Sequence, residues 1–231
     1  MIPLLHDFAG ETVLVLGGGR VGARKARRFA REARVVVVSP SFADDDFGGA
    51  QLVRAAPDPG DVERWVARTD PRLVVAATDD PALNDAAVAA AEARGALVNR
   101  ADRSGDETEG VVVPATVRDG PVVVAVATGG ESPALSRFLR QEIETEFEGI
   151  GAMARLSGDL RRALVARGVP PEDRRAAVRA VVRAGPVWKA LRTGASKGRR
   201  EADAVVRSTL DWGADADPLF ESDRGGGPEE P

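Results

Sequence analysis

Four glycines near the N-terminus have the spacing of a turn that binds phosphate groups. Gly17, Gly18 and Gly19 are consecutive and Gly22 follows, which satisfies the pattern G-x-G-x-x-G directly after an apolar run. In this pattern the first glycine adopts a turn closed to other residues, the second lets a pyrophosphate approach the backbone, and the last lets the helix pack against the strand. The spacing therefore predicts a dinucleotide site. The alternative is a tight turn that holds no ligand.

Acid–base chemistry in this chain falls mainly to carboxylates. The 231 residues include no cysteine, which excludes thiolate nucleophiles and cysteine-ligated metal sites. His6 is the only histidine, which argues against Ser-His-Asp triads and sites with several histidine ligands. We therefore expect no bound metal, and we expect aspartate or glutamate to accept any proton.

The chain lacks the acidic residue that usually follows the second strand of an NAD-binding fold. The second apolar run ends in VVVVSPSF, which places Ser39, Pro40 and Ser41 where that carboxylate would bond the adenosine ribose. The two serine hydroxyls can replace it, or the three residues form only a turn that ends the strand. No arginine comes directly after this strand to bind a 2′-phosphate, which favours NAD over NADP.

These residues need a parallel sheet to position them. Short Val/Leu-rich runs alternate with Ala/Arg-rich helical runs through the first hundred residues, which predicts a Rossmann-like, doubly wound α/β domain. The predicted strands cover 12–16, 34–38, 51–55, a run ending at Thr78, and 96–100.

A different pattern follows the predicted sheet. Two apolar runs joined by Asp119-Gly120 predict a hairpin, and Ser132-Pro133 begins an amphipathic helix that reaches Phe147. Sequence patterns typical of helices continue to about Leu210. The predicted parts are an NAD-binding domain at 1–110, a dimerisation hairpin and helix at 111–150, a basic helical domain at 151–212, and a disordered acidic tail at 213–231.

Composition restricts the class of protein. The chain has no run of eighteen apolar residues and begins with MIPLLHDFAG, which lacks the basic start of a signal peptide. We therefore expect a soluble, cytoplasmic protein with no membrane partner. Residues 151–213 carry 14 Arg and Lys against six Asp and Glu, but no helix-turn-helix or aromatic base-stacking pattern accompanies them, so we expect no nucleic acid.

Five stretches, in order and over roughly residues 4–150, resemble the bifunctional precorrin-2 dehydrogenase/sirohydrochlorin ferrochelatase family and the matching N-terminal half of siroheme synthase. They read VLGGGRVGARKAR, VVSPSF, VAATDDPALNDAAV, VNRAD and VAVATGGESPALSRFLRQEIE. The resemblance implies oxidation of precorrin-2 to sirohydrochlorin with NAD as cofactor, in siroheme and tetrapyrrole biosynthesis. It also implies a homodimer, and in some members insertion of a ferrous or cobaltous ion as a second substrate.

The resemblance also implies roles for individual residues. Asp102, just after the fifth predicted strand, corresponds to the family's catalytic aspartate. The resemblance assigns cofactor contacts to Arg20, Val21, Pro40 and Ser41, and it assigns a substrate contact to the hydroxyl of Thr128. With the residues around them, the predicted cofactor contacts are Gly17, Gly18, Gly19, Arg20, Val21, Gly22, Ser39, Pro40, Ser41, Thr78 and Asp79; the predicted substrate contacts are Thr128, Gly129, Gly130 and Ser132.

The residues around Asp102 leave its role open. Ligand sites of open α/β sheets form beyond the carboxyl ends of the strands, where a carboxylate can take the proton that is lost with the hydride. The alternative is that Asp102 only caps a turn. Arg100 and Arg103 flank it and favour its charged form, which would weaken it as a base.

Two other functions compete with the dehydrogenase. An NAD-sensing regulatory domain of an ion-transport system also has a glycine turn, but it predicts an acidic residue after the second strand. An unrelated NAD(P) dehydrogenase with a helical substrate domain is the other alternative. The basic helices can bind the carboxylates of a tetrapyrrole, or they are solvated faces that pair with the acidic domain.

Overall fold

The computed structural model describes residues 2–102, 110–213 and 216–220. Its contacts divide the chain into two compact units. The first combines Met1–Pro114 with Ala127–Pro133, and the second combines Ala115–Val126 with Ala134–Pro231. Residues 103–109, including Arg103 of the sequence analysis, lie outside the described part.

The first unit contains a five-stranded parallel sheet. Its strands are β1 (Thr12–Leu16), β2 (Arg34–Ser39), β3 (Gln51–Arg54), β4 (Leu73–Ala76) and β5 (Leu97–Arg100), arranged in the order β3-β2-β1-β4-β5. The crossover helices are α1 (Arg20–Phe29), α2 (Val62–Thr69) and α3 (Pro81–Ala93), with a short 3-10 turn before α2. This order confirms the Rossmann-like fold class.

Strand β1 is central and completely buried, because helices cover both faces of the sheet. Val13 and Val15 pack with the small residues of α1 on one face. Leu14 and Leu16 pack on the other face against α2 and α3. A strand buried on both sides reads as a continuous apolar run, which is why alternation is absent from its sequence. Consequently the turn that follows Leu16 starts from a rigid position.

Helices α1 and α3 begin differently. Asp80 caps α3, since its carboxylate accepts hydrogen bonds from the backbone N–H groups of Ala82 (2.9 Å) and Leu83 (3.4 Å), and Pro81 occupies the first helical position. Helix α1 has Gly19 at its N-cap and no side-chain cap. The first turn of α1 also lacks acidic residues, so its N-terminal amides remain available to an external anion.

The second unit contains a hairpin and five helices. The hairpin pairs β6 (Ala115–Asp119) with β7 (Val122–Val126). The helices are α4 (Pro133–Glu146, whose first residue belongs to the first unit), α5 (Ile150–Ala166), α6 (Pro171–Arg183), α7 (Gly185–Thr193) and α8 (Ala195–Thr209). Leu160, Leu164 and Val206 form part of the core of the last four helices.

The hairpin is attached to the start of α5. The backbone N–H of Gly151 donates to the Asp119 carboxylate (2.9 Å), and a Cβ at position 151 would collide with the Asp119 carbonyl oxygen. The contacts therefore group the hairpin with the C-terminal helices, whereas the sequence analysis grouped it with the helix ending near 150. The predicted boundaries at 110, 150 and 212 stay predictions.

Part of the predicted disordered tail is packed. Leu219 is buried in the core of the second unit, and its N–H donates to the Asp203 carboxylate (2.9 Å). Arg167 donates to the Asp217 carbonyl (3.0 Å). Residues 216–220 thus differ from the expectation of disorder, because Leu219 in this acidic segment packs into the helical core. Residues 214, 215 and 221–231 lie outside the described part.

Candidate functional site

The glycine turn is built into the sheet at the end of β1. Gly17 has φ +113°, and a Cβ there would collide with the carbonyl oxygen of Ala77, which follows β4. Its N–H donates to the Val38 carbonyl of β2 (3.0 Å). Only glycine combines this backbone conformation with so close an approach, so residue 17 fixes the turn between the ends of β2 and β4.

The other three glycines have distinct surroundings. A Cβ on Gly18 would collide with the Ser41 carbonyl oxygen, and one on Gly22 would collide with the Gly17 carbonyl oxygen. A Cβ on Gly19 would meet no atom within 4 Å. Gly18 and Gly22 are therefore required by packing within the chain, whereas Gly19 leaves open space beside the backbone at the start of α1.

Arg20 and Val21 are exposed in the first turn of α1. The uncapped amides of this turn carry the positive end of the helix dipole. Open space at Gly19 and free amides at the helix start fit a pyrophosphate. The residues present therefore fit a dinucleotide at the place where the glycine spacing predicted one.

The end of β2 is joined to β3 by an arginine that the sequence analysis missed. Ser39 is buried and Ser41 is exposed. Arg54, which pairs in register with Ser39, donates from Nη1 to the Pro40 carbonyl (3.0 Å) and lies with its guanidinium 5.6 Å from the centre of the Phe42 ring. The sequence carries no local signal for this contact, because only the register between β2 and β3 brings Arg54 beside Ser39.

Thr78 is linked to helix α3 by Asn84. The Thr78 hydroxyl donates to Oδ1 of Asn84 (2.7 Å), and Nδ2 of Asn84 donates back to the Thr78 carbonyl (2.9 Å). The Asn84 side chain also helps to lower the pKa of Asp102. Buried Asn84 therefore holds the residue beyond β4 by its own hydrogen bonds, while Asp79 is exposed beside Thr78.

The carboxylate of Asp102 is held by Arg100, the last residue of β5. Nε of Arg100 donates to Oδ1 (3.1 Å) and Nη2 donates to Oδ2 (2.8 Å), so both carboxylate oxygens accept from one guanidinium. The Arg100 side chain also forms an ion pair with Asp85 of α3. The hydrogen bonds from Arg100 lower the pKa of Asp102 below its usual range, against burial, which acts to raise it. The predicted effect of Arg100 on the Asp102 charge agrees with this geometry.

The residue before Arg100 is bonded on the opposite face of the sheet. Nζ of Lys25 in α1 donates to Oδ1 of Asn99 (2.8 Å), and Nδ2 of Asn99 donates to the Val111 carbonyl (2.7 Å). Val111 in turn donates its N–H to the Val98 carbonyl (2.7 Å). Burial, reinforced by Arg28 and Arg24, lowers the pKa of Lys25 to about 8. The end of β5 is thus fixed to helices on both faces.

The predicted substrate contacts lie together in one tight turn. The Thr128 hydroxyl donates to the Ser132 carbonyl (3.0 Å) and accepts from the Ser132 N–H (3.3 Å). Gly129 and Gly130 between them both have positive φ. The predicted residues therefore form two groups: the turn at 128–132, and the carboxyl edge of the sheet with the glycine turn, Thr78 and Asp102.

Within the described ranges, no three His, Cys, Asp or Glu side chains converge as a metal site would require. His6 is exposed and packs edge-on against the Phe8 ring, with 4.5 Å between ring centres. The described helices include none with the length and apolar character needed to span a membrane.

Comparison with known proteins finds similarity both for the N-terminal part of the chain and for most of its length. Residues 4–115 match a family described as "Putative NAD(P)-binding". Siroheme synthase of Azotobacter vinelandii is 35% identical over 217 residues, which are 90% of this chain and 44% of that protein. Siroheme synthase of Stutzerimonas stutzeri is 37% identical over 179 residues, 75% of this chain and 37% of that protein. The chain thus spans about two fifths of the length of these relatives.

The fold has a counterpart among solved structures. A protein described as "SirC, precorrin-2 dehydrogenase" superposes with a TM-score of 0.64 at 20% sequence identity, and the match covers 90% of this chain and all of that one. At this identity the similarity establishes the fold.

Proposed function

Since the chain belongs to the NAD-dependent family of precorrin-2 dehydrogenases and siroheme synthases, we propose that it oxidises precorrin-2 to sirohydrochlorin in siroheme and tetrapyrrole biosynthesis. The observation that carries the proposal is the bidentate hydrogen bond from Arg100, the last residue of β5, to the Asp102 carboxylate. It supports a charged group beyond the carboxyl ends of the strands, where the glycine turn after β1 also lies and where open α/β sheets bind their ligands.

NAD bound at this edge supplies the acceptor for a hydride. The glycine turn and the amides of Arg20 and Val21 would hold its pyrophosphate, because Gly19 leaves the backbone open there. Ser39 and Ser41 would face the adenosine ribose from the end of β2. Thr78 and Asp79, beyond β4, would complete the contacts on the other side of the turn.

Asp102 supplies the charged group for the oxidation. Making a double bond in the macrocycle removes a hydride from one carbon and a proton from a neighbouring carbon or nitrogen. A carboxylate at the edge of the sheet can accept that proton or stabilise the positive charge that develops. The bidentate bond from Arg100 keeps the Asp102 carboxylate ionised, which either role requires.

The carboxylates on the rim of the tetrapyrrole need cationic or hydrogen-bonding partners. We assign the turn formed by Thr128, Gly129, Gly130 and Ser132 to the substrate, because its hydroxyl groups and backbone amides can donate hydrogen bonds to carboxylates. The acidic residue expected of an NAD-sensing domain is missing at the end of β2, which carries Ser39 instead. Insertion of a ferrous or cobaltous ion into the product stays a prediction from the resemblance, as does the cytoplasmic location.

A homodimer is the assembly that the exposed residues favour. Helix α4 has no buried residue in the described chain, and Leu135, Phe138 and Leu139 are exposed on it. The spacing of these apolar side chains at i, i+3 and i+4 forms one face of the helix. A second copy of the chain would cover this face.

The oxidation is tested by anaerobic incubation of the purified protein with precorrin-2 and NAD. We expect sirohydrochlorin and NADH to form in equal amounts, each measured by its absorbance. The control omits NAD. If neither absorbance develops with folded protein, the proposed function is wrong. Ferrous or cobaltous ion added to the product then tests metal insertion separately.

A further inference from the structure

Arg100 is a charged residue in an almost completely buried position. Only 4% of its surface is exposed, although it is the last residue of a strand at the ligand edge of the sheet. Its partner in register is Ala76 of the apolar strand β4. A guanidinium is costly to bury unless its donors are paired. The groups that accept from Arg100 therefore indicate its role.

Two carboxylates pair with Arg100. Asp102 takes the Nε and Nη2 donors, and Asp85 takes Nη1. Because Asp85 lies on α3 and Asp102 lies beyond β5, the guanidinium joins a helix to the strand end. A planar fork that is fixed on its far side by Asp85 can hold the Asp102 carboxylate in one plane.

Asn84 lies next to Asp85 on α3. It is almost fully buried, and its side chain bonds Thr78 and helps to lower the pKa of Asp102. Two consecutive residues of one helix therefore act on Asp102, Asn84 on its pKa and Asp85 through Arg100. The side chain of Asp102 nevertheless keeps 30% of its surface exposed, compared with 2% for Arg100, so the carboxylate can meet a substrate that Arg100 cannot reach.

We propose that Arg100 is a positioning residue for the oxidation of precorrin-2, and that it acts by holding the Asp102 carboxylate as a fixed, ionised group facing the substrate. This inference rests on the proposed function. Asp85 supports it by fixing the guanidinium. The carboxylate then serves chiefly as a fixed negative charge, since an oxygen that accepts from arginine is a poor proton acceptor.

The reaction balances with water as the proton acceptor. The C–H bond of the saturated bridge would break, and its electron pair would leave with the hydrogen as a hydride, which bound NAD would accept. The adjacent N–H or C–H bond then breaks, its electrons form the new double bond, and the proton passes to water. Asp102 stabilises the positive charge that the tetrapyrrole nitrogen carries between these events.

A double-mutant cycle tests whether Arg100 acts through Asp102. The variants are Arg100→Gln, Asp102→Asn and the double variant, with Arg94→Gln, an exposed arginine after α3, as the matched control. We expect Arg100→Gln to lower kcat roughly 10- to 100-fold with little change in NAD affinity. The double variant should be no slower than Asp102→Asn within about twofold, because the two residues act as one unit.

The pH profile supplies a readout that a purely structural role would not change. Loss of Arg100 removes the hydrogen bonds that lower the pKa of Asp102 and leaves burial, which raises it. The acidic limb of kcat/KM should therefore move to higher pH in Arg100→Gln. Arg100→Lys should recover part of kcat, since it restores the charge without the fork. Thermal unfolding and circular dichroism establish that each variant is folded.

The outcomes separate this inference from the function on which it rests. A folded wild-type protein that does not oxidise precorrin-2 overturns both. If the wild type is active, any of three results overturns the positioning role alone. Arg100→Gln could be as active as the wild type, the losses could multiply in the double variant, or the acidic limb of kcat/KM could stay where it is in the wild type. If Arg100→Gln fails to fold, Asp85→Asn replaces it in the cycle, and the same comparison with Asp102→Asn decides the result.

Discussion

The side chains of Lys25 and Asn99 meet across 74 residues of sequence, with Nζ of Lys25 2.8 Å from Oδ1 of Asn99. The amide of Asn99 passes the connection on to the Val111 carbonyl. One buried amine on α1 therefore anchors both the end of β5 and the chain that returns after residue 110. Asp102 emerges from the strand end that this connection holds.

The buried amine predicts a specific dependence of stability on pH. Lys25 has a pKa of about 8 in the folded chain, whereas an unfolded lysine titrates near ~10.4. Between these values the unfolded chain binds more protons, so the free energy of unfolding rises with pH. We expect the wild type to gain up to roughly 3 kcal/mol relative to Lys25→Met between pH 8 and 10.4. Urea unfolding of both proteins at pH 7, 8.5 and 10 measures the difference, and parallel curves would contradict it.

The glycine turn predicts a contrast between two similar substitutions. Gly17→Ala places a Cβ against the Ala77 carbonyl at positive φ, so we expect a marked loss of thermal stability and of NAD binding. Gly19→Ala adds its Cβ in open space, so the melting temperature should stay near that of the wild type while NAD affinity falls. Melting curves and calorimetric titration with NAD measure the pair. Equal loss of stability in both variants would contradict the assignment of Gly19 to the phosphate.

Asn84 is expected to matter for both stability and activity. Asn84→Ala removes the buried donor and acceptor that hold Thr78, which should cost about 1–3 kcal/mol. The oxidation rate should fall as well, because Thr78 is a proposed cofactor contact and Asn84 helps to lower the pKa of Asp102. Glu92→Ala, an exposed change on the same helix, is the control. A fully active, equally stable Asn84→Ala would exclude this connection from the site.

Arg54 predicts the choice between the two nicotinamide cofactors. No arginine directly follows β2 in the sequence, which favours NAD, but the register places Arg54 of β3 beside Ser39. An exposed guanidinium there can bind a 2′-phosphate. Arg54→Ala should therefore lower the affinity for NADP more than that for NAD, in paired titrations. An unchanged ratio would show that Arg54 serves only the Pro40 carbonyl and the Phe42 ring.

The proposed dimer is tested on helix α4. Phe138→Glu places a charge in the middle of the exposed apolar face, so the mass measured by light scattering should fall from two chains towards one. Gln141→Glu adds the same charge at another exposed position of the helix and is the control. A monomeric wild type would refute the dimer directly.

The sheet and the glycine turn could be predicted because their signals are local. Continuous apolar runs mark strands buried on both faces, and the four glycines occur within six residues of one another. The ionised state of Asp102 could also be predicted from the sequence, since Arg100 lies two residues away. The resemblance, and not the spacing, assigned Asp102 to catalysis.

The supports of the site could not be predicted because they depend on tertiary contacts. Lys25 reads as one more cation on a basic helix until the fold places it against Asn99. Asn84 and Asp85 read as polar positions near the start of an Ala-rich helix, and only the crossover brings them to the ends of β4 and β5. Strand register, which neither propensity nor periodicity supplies, also brings Arg54 to the end of β2.

The bonds around Asn99 are separate from those that hold Asp102. Gly110 and Val111 are fixed to β5 by an isolated bridge and by the Val98 carbonyl, whereas Asp102 is fixed by Arg100. A substitution at Asn99 would therefore remove one bond of Val111 and leave the attachment of the Asp102 carboxylate in place.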